Sequence, residues 1–284
     1  MSNTTVNAAA ILTPEQVQSL VVEPVTRQSI ATQASTPVFI TSKDTRFPIL
    51  KSDPDAGWVA EGAEIDVDDA EFDELEVIPK KVAAITVISS ELATDSTPEA
   101  QEVIGSALVR SLVSKIDSAY FGNTITNGPS GLGSLTDRQL VLAGVTPSNT
   151  DAFLEAQSLA ENVGANISAW VTDPTTALTL AKLKKQTGSN EPLLSTDAAS
   201  PTGKVIAGVP VYTSPYVPTT PARRVWGIAK SKSFVVIRKD TTVDIDKSAF
   251  WTSDRVGVRA IARVAFAFPH QEALVEVRLA SPGS

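Results

Sequence analysis

The sequence predicts an α+β protein, in which strands and helices mix without the regular alternation of βαβ units. Three observations carry this. From Arg255 to Phe268, Val256, Val258, Ala260, Ala262, Val264, Phe266 and Phe268 fall on one face of a period-two pattern, the mark of a long strand with one dry side. From Pro98 to Phe121, Val103, Ala107, Leu108, Leu112, Ile116 and Ala119 recur every three or four residues, as in an amphipathic helix. Between them in character lies residues 52–79, strand-like but strongly acidic, with too few apolar residues for a core of its own.

Taken in order, Met1–Ala10 reads as a flexible arm, and Thr13-Pro14-Glu15-Gln16 starts a short helix that Pro24 stops. Residues 25–50 read as extended, with strands at Pro37–Ile40 and Phe47–Leu50. The acidic tract holds eleven Asp or Glu and no Lys or Arg, with Trp58, Ile65 and Phe72 interspersed. Val82–Ile88, apolar but for Thr86, reads as a buried strand. Ser96-Thr97-Pro98-Glu99 caps the long helix, which would span about 36 Å at ~1.5 Å per residue. A loop-rich passage covers 122–150. A helix follows over Asp151–Val163, a buried strand over Ile167–Val171, and a helix from Asp173-Pro174 to about Gln186. Thr187–Gly203 is a polar loop, and Val205–Tyr212 is a strand broken at Gly208 and Pro210. Val225–Ile228 and Phe234–Ile237 are strands, and Leu274–Leu279 is the expected partner of the long C-terminal strand.

Composition removes much of chemistry. The 284 residues contain no Cys and one His, which excludes disulfides, thiolate metal sites and His-rich metal sites. His270 follows Pro269 and reads as a turn residue; no motif nominates an Asp and a Ser to complete a triad. Asp66-Val67-Asp68-Asp69 begins like a calcium loop but lacks the turn Gly and the closing Glu. Gly128-Pro129-Ser130-Gly131 is not a nucleophile elbow, and Gly131-Leu132-Gly133 is not a phosphate-binding loop. The expectation is no enzyme, no cofactor and no metal. No apolar stretch reaches membrane-span length, so a soluble protein made in the cytoplasm is expected. Charge is uneven: the chain carries −8, yet Lys182–Arg278 holds fifteen Lys or Arg against eight Asp or Glu. Arg255, Arg259 and Arg263 share one strand face. Opposite charges on distant segments suit head-to-tail self-association.

The order of parts then becomes recognisable. Trp58-Val59-Ala60-Glu61-Gly62-Ala63-Glu64-Ile65 precedes an acidic stretch with Phe72. Val77-Ile78-Pro79-Lys80-Lys81-Val82-Ala83-Ala84 follows, then Val87-Ile88-Ser89-Ser90-Glu91-Leu92, Asp95-Ser96 and the long helix. Ala169-Trp170-Val171, Gly208-Val209-Pro210-Val211 and the Arg255–Phe268 strand complete the series. This resembles the major capsid proteins of tailed double-stranded DNA bacteriophages, with the Hong Kong ninety-seven type of fold. The resemblance implies an N-terminal arm with a short helix (1–44), an extended β-hairpin loop (45–85) that lies over an adjacent subunit, and a peripheral domain with a long spine helix (86–139). It further implies an axial domain (140–235), with the Thr187–Gly203 loop at its tip, and C-terminal strands returning to the peripheral domain (236–284).

The function so implied is a structural subunit that self-assembles into an icosahedral virion shell of pentamers and hexamers around double-stranded DNA, built in the host cytoplasm. Its partners would be copies of itself, separate scaffold, portal and decoration proteins, and packaged DNA through loose electrostatic contact, with no membrane. The expected subunit-contact residues are Trp58, Glu61, Ile65 and Phe72 on the loop and Arg255, Arg259 and Arg263 on the strand. Because Met1 is followed by only a short arm, the resemblance implies a separate scaffold or none. Because 52–79 lacks Lys, it implies no covalent cross-linking through the loop. The alternatives are an encapsulin-type nanocompartment shell, which shares the fold, a carboxylate-based hydrolase, and a monomeric binding module.

Overall fold

The computed structural model describes residues 23–52, 58–59, 62, 71–89, 98–144, 149–186, 190–194, 202–239, 242–246 and 248–279. In chain order its elements are helices α1 (Glu23–Gln28) and α2 (Ile30–Ala34), strands β1 (Thr36–Ile40), β2 (Thr45–Ser52), β3 (Glu71–Val77) and β4 (Lys80–Ser89), and helix α3 (Pro98–Phe121). There follow β5 (Gln139–Ala143), α4 (Asp151–Asn162), β6 (Ala169–Thr172), α5 (Pro174–Ala181), β7 (Val205–Ile206), β8 (Val209–Thr213) and β9 (Arg223–Ile228). The chain closes with β10 (Phe234–Arg238), β11 (Thr242–Asp246), β12 (Arg255–Ala267) and β13 (Val275–Leu279).

The alternating segment forms β12, the centre of a five-stranded sheet. Val264 pairs with Ile237 of β10 on one side and Lys80 of β4 on the other, and Arg259 pairs likewise with Asp244 of β11 and Ile85 of β4. So β10 and β11 run in line along one edge of β12, and β4 runs along the other. β1 adds parallel to β10. A six-stranded sheet has the order β5-β13-β9-β6-β8-β7. Its β7–β8 hairpin turns on Ala207 and Gly208, at φ 50 and 80, the backbone that a tight two-residue turn requires. β2 and β3 form a separate antiparallel ribbon, with Thr45 opposite Val77 and Leu50 opposite Phe72.

α3 forms because its apolar residues make one stripe, and the stripe finds the even-numbered face of β12. Leu108, Leu112 and Ile116 are buried in one cluster with Val258, Ala260, Val264 and Phe266. Trp226 and Ile228 of β9 join that cluster, so the two sheets share a core. The other face of the six-stranded sheet is covered by α4 and α5, where Phe153, Ala156, Ala160 and Leu180 meet Val141, Trp170, Val275 and Val277. The 127–133 loop folds back on the end of α3. A Cβ at Gly131 would lie 2.0 Å from the Ala119 carbonyl oxygen, and the Gly133 N–H donates to Gly122 at 2.8 Å. Only glycine permits that approach.

Polar groups fasten the first described segment to α3. Asp117 accepts from the Ser29 hydroxyl at 2.6 Å and from the Ile30 and Ala31 N–H groups, both at 3.1 Å, at the start of α2. The Tyr120 hydroxyl bonds Ser35 at 2.5 Å, and burial pushes its pKa up to about 12.

Several expectations are corrected. Leu274–Leu279 does not pair with β12; β13 lies between β5 and β9 in the other sheet. Residues 25–50 are not all extended, because they include most of α1, with Pro24 in its first turn where a fixed φ fits, and all of α2. The expected helix beginning at Thr13 lies outside the described residues. α5 ends at Ala181, short of Gln186, and the strands β5 and β11 were not expected. Val82–Ile88 is a strand but not a buried one, since its outer face carries Ile85 65% exposed. Ala107 of α3 is exposed rather than on the core stripe.

Candidate subunit-contact site

Two surfaces were expected to meet a neighbouring copy, and the first is the acidic ribbon. Its root is held by the chain itself: Phe47 meets Phe234 with ring centroids 5.1 Å apart, and Leu75 and Val77 pack with Val236, Ala265 and Ala267. Further out nothing in the described chain covers it. Phe72 is 74% exposed and Trp58 fully exposed. The exposed Arg46–Glu74 pair at 2.9 Å crosses the ribbon but buries nothing. Glu61 and Ile65, expected beside them, lie outside the described residues, as does the calcium-like Asp66–Asp69.

The second surface is the outer, odd-numbered face of β12. Arg255 and Arg259 are exposed there and Arg263 is half-buried, so the strand brings the three arginines to one face. Arg259 is not a lone charge, because it donates to Asp244 of the adjacent β11 at 2.7 Å. On the other flank β4 sets Ala83, Ile85 and Val87 beside this row. The open surface is therefore an apolar stripe next to a basic one. The sequence hid it because VAAITVI carries apolar residues on both faces, and a nearly continuous apolar run looks like a strand covered on both sides.

A third feature went unforeseen. Glu276 of β13 is fully buried, yet it is an acid among arginines. Arg138 Nε lies 2.8 Å from it, Arg278 Nε 3.1 Å and Arg224 Nε 3.4 Å. The Arg138 guanidinium stands over the Trp226 ring, 5.8 Å from its centroid. Burial pushes the Glu276 carboxyl up, but bonds from Arg278 and Arg138 and their charges outweigh it and leave the pKa below its ordinary 4.5. Asp117 goes the other way: burial dominates its three bonds and raises it above 3.8.

His270 sits between β12 and β13, and burial, with Lys232 nearby, lowers its pKa. Among the described residues no three His, Asp or Glu side chains group to hold a metal, and no helix is long and apolar enough to cross a membrane.

The model of the phage capsid family matches residues 9–278. The capsid polyprotein of Pseudomonas phage PAJU2 is 27% identical over 219 residues, which cover 72% of this chain but 31% of that polyprotein. Among solved structures, the capsid of a native GTA particle superposes with a TM-score of 0.68 at 16% identity, covering 99% of this chain and 95% of that one. Mycobacterium phage Adephagia gives a TM-score of 0.69 at 16% identity, over 100% and 95%. The mixed helix-and-strand fold is thus that of phage major capsid proteins. With 9–278 matched, the chain belongs to the phage capsid family, whose members are structural, shell-forming proteins.

Proposed function

We propose that this chain is the repeating subunit of an icosahedral virion shell, arranged as pentamers and hexamers around packaged double-stranded DNA and assembled in the host cytoplasm. One observation carries the reading: among the described residues the β2–β3 ribbon is anchored at its root, while Phe72 on β3 and Trp58 in the connection beyond β2 are exposed. An isolated two-stranded ribbon is marginal in water, so it gains stability only when its outer part lies on something else. The arginine face of β12, with Ile85 and Val87 alongside, offers charge and apolar surface of the matching kind on the next copy.

In this reading the segments divide as the family pattern suggests. The ribbon is the extended loop, and α3 with the five-stranded sheet forms the peripheral part. The six-stranded sheet with α4 and α5 forms the axial part, to which β13 contributes as well. No catalytic step is assigned. Scaffold, portal and decoration proteins are its further partners, and contact with DNA would be electrostatic and independent of sequence. The family match and the curated relative, both phage capsids, favour DNA over enzyme cargo as the content.

The test is direct. The expressed protein, sedimented and viewed by negative stain, should form closed particles far larger than a ~30 kDa chain. Particles with nucleic acid absorbance, or empty ones that fill in infected cells, agree with the proposal. Particles that retain a protein cargo instead would move it to a nanocompartment, and a monomer at every concentration and salt would end it.

A further inference from the structure

The six-stranded sheet has an edge that no described residue of its own subunit covers. β5 is the outermost strand, and its Leu140 and Leu142 are 44% and 73% exposed while Val141 and Ala143, which alternate with them, are buried under α4. In register, Leu140 lies beside Glu276 and Leu142 beside Arg278, with Arg224 next along. Paired residues point to the same side of a sheet, so these leucines share a face with the arginine cluster. That face is closed at Trp226, which belongs to the core under α3, and open at β5. The cluster is also unbalanced. Three guanidiniums surround one carboxylate, and the buried Arg224 Nε makes no hydrogen bond. Two exposed leucines therefore adjoin a surplus of two positive charges.

The opposite face of the same sheet carries the complement. α4 buries Phe153, Ala156 and Ala160 against it and turns Leu154, 52% exposed, and Glu155 outward. Asp151, Glu155 and Glu161 are its only charged residues, and all three are acids. We propose that the outer face of α4 in a second copy docks on the Leu140–Leu142 edge, with Leu154 against the leucines and the α4 acids facing Arg224 and Arg278. The two patches lie on opposite faces of one sheet, so the contact is head-to-tail and repeats from copy to copy until a ring closes. This pairing rests on the shell reading and adds a second contact to it, independent of the ribbon.

The chain has no cysteine, which makes the test specific. Leu142→Cys and Leu154→Cys are prepared separately, mixed, assembled and treated with a short bis-maleimide. The mixture should give a cross-linked dimer that neither variant gives alone, and a chain carrying both substitutions should give a ladder ending at five or six copies. Glu155→Lys, at an exposed helix position, should keep the monomer's circular dichroism and raise the concentration needed for assembly by at least about tenfold. If wild-type particles form but the mixture does not cross-link, or Leu142→Cys alone links to itself, the pairing is wrong while the shell reading stands. If wild-type chains never associate, the shell reading falls and takes this contact with it.

Discussion

The acids of the β2–β3 ribbon and the acid at Glu276 are one chemistry in opposite surroundings. On the ribbon Glu74 and Glu76 stay in water, and the aromatic residue beside them, Phe72, stays there too. In β13 the carboxylate is withdrawn from water entirely and compensated by arginines from three strands or loops. The first region contributes little to the fold of one subunit and is open to another. The second lies inside one subunit and ties its strands to one another. A tile for a shell needs both, and the difference predicts which substitutions act on folding and which on assembly.

The largest effect falls on the buried side. Glu276→Gln removes the only negative charge among Arg138, Arg224 and Arg278 and should destabilise the subunit by about 3–5 kcal/mol, measured by urea unfolding. The pH dependence follows in sign. A carboxyl held below its ordinary 4.5 contributes stability that is complete above 4.5 and is lost as pH falls through the folded value. Wild-type stability should therefore decline on acidification in a way that Glu276→Gln does not share. A variant of unchanged stability would mean that the cluster is solvated, and the contrast between the regions would disappear.

Asp117 comes next. Asp117→Ala orphans the Ser29 hydroxyl and the Ile30 and Ala31 N–H groups inside the core and should cost about 1–3 kcal/mol. Asp117→Asn keeps an acceptor and should cost less. Its carboxyl is raised by burial, so its contribution is fullest below 3.8 and fades as pH rises through the folded value, opposing that of Glu276. Denaturant unfolding of both variants across acid pH separates the two.

These buried acids also show what sequence could and could not reveal. The long helix, the long strand and the acidic ribbon were legible because each is a periodic or compositional pattern within one stretch of chain. The partner of β13 was not, because VEVRL looks like a half-exposed strand and the expectation that consecutive strands pair placed it beside β12. Its buried Glu276 is balanced by Arg138, 138 residues away, and no local pattern encodes such a pair. β5 follows the Gly- and Asn-rich turns of 122–134 and passed as part of that loop, and the two acids of β11 break up its apolar pattern. Asp117 did leave a signal: an acid on the apolar stripe between Ile116 and Tyr120, where a charge requires a partner. The exposure of Trp58 and Phe72 was legible from aromatics in a segment with no core, whereas the open face of β4 was masked by apolar residues on both sides of the strand.

On the ribbon the order of effects reverses. Phe72→Ala and Trp58→Ala should each change subunit stability by less than about 0.5 kcal/mol, because both side chains are already in water. Both should weaken assembly, seen as a shift from particles to free subunits in sedimentation. Equal losses of stability and assembly would place these aromatics on their own subunit.

The smallest effect separates the two halves of the arginine face. Arg259 is exposed and already paired with Asp244, so Arg259→Ala should cost the isolated subunit at most about 1 kcal/mol. Its effect on assembly depends on what the neighbour presents. If the acidic ribbon of the next copy lies over this face, assembly of the wild type should weaken as salt rises, and Arg259→Ala should flatten that dependence, since screening acts on exposed charges. Arg255→Ala should act in the same direction. Salt-independent assembly, with Ile85→Asp still disruptive, would mean that the neighbour is held there by the apolar stripe of β4 alone, and that the ribbon's acids serve to keep it in solution until the stripe is met.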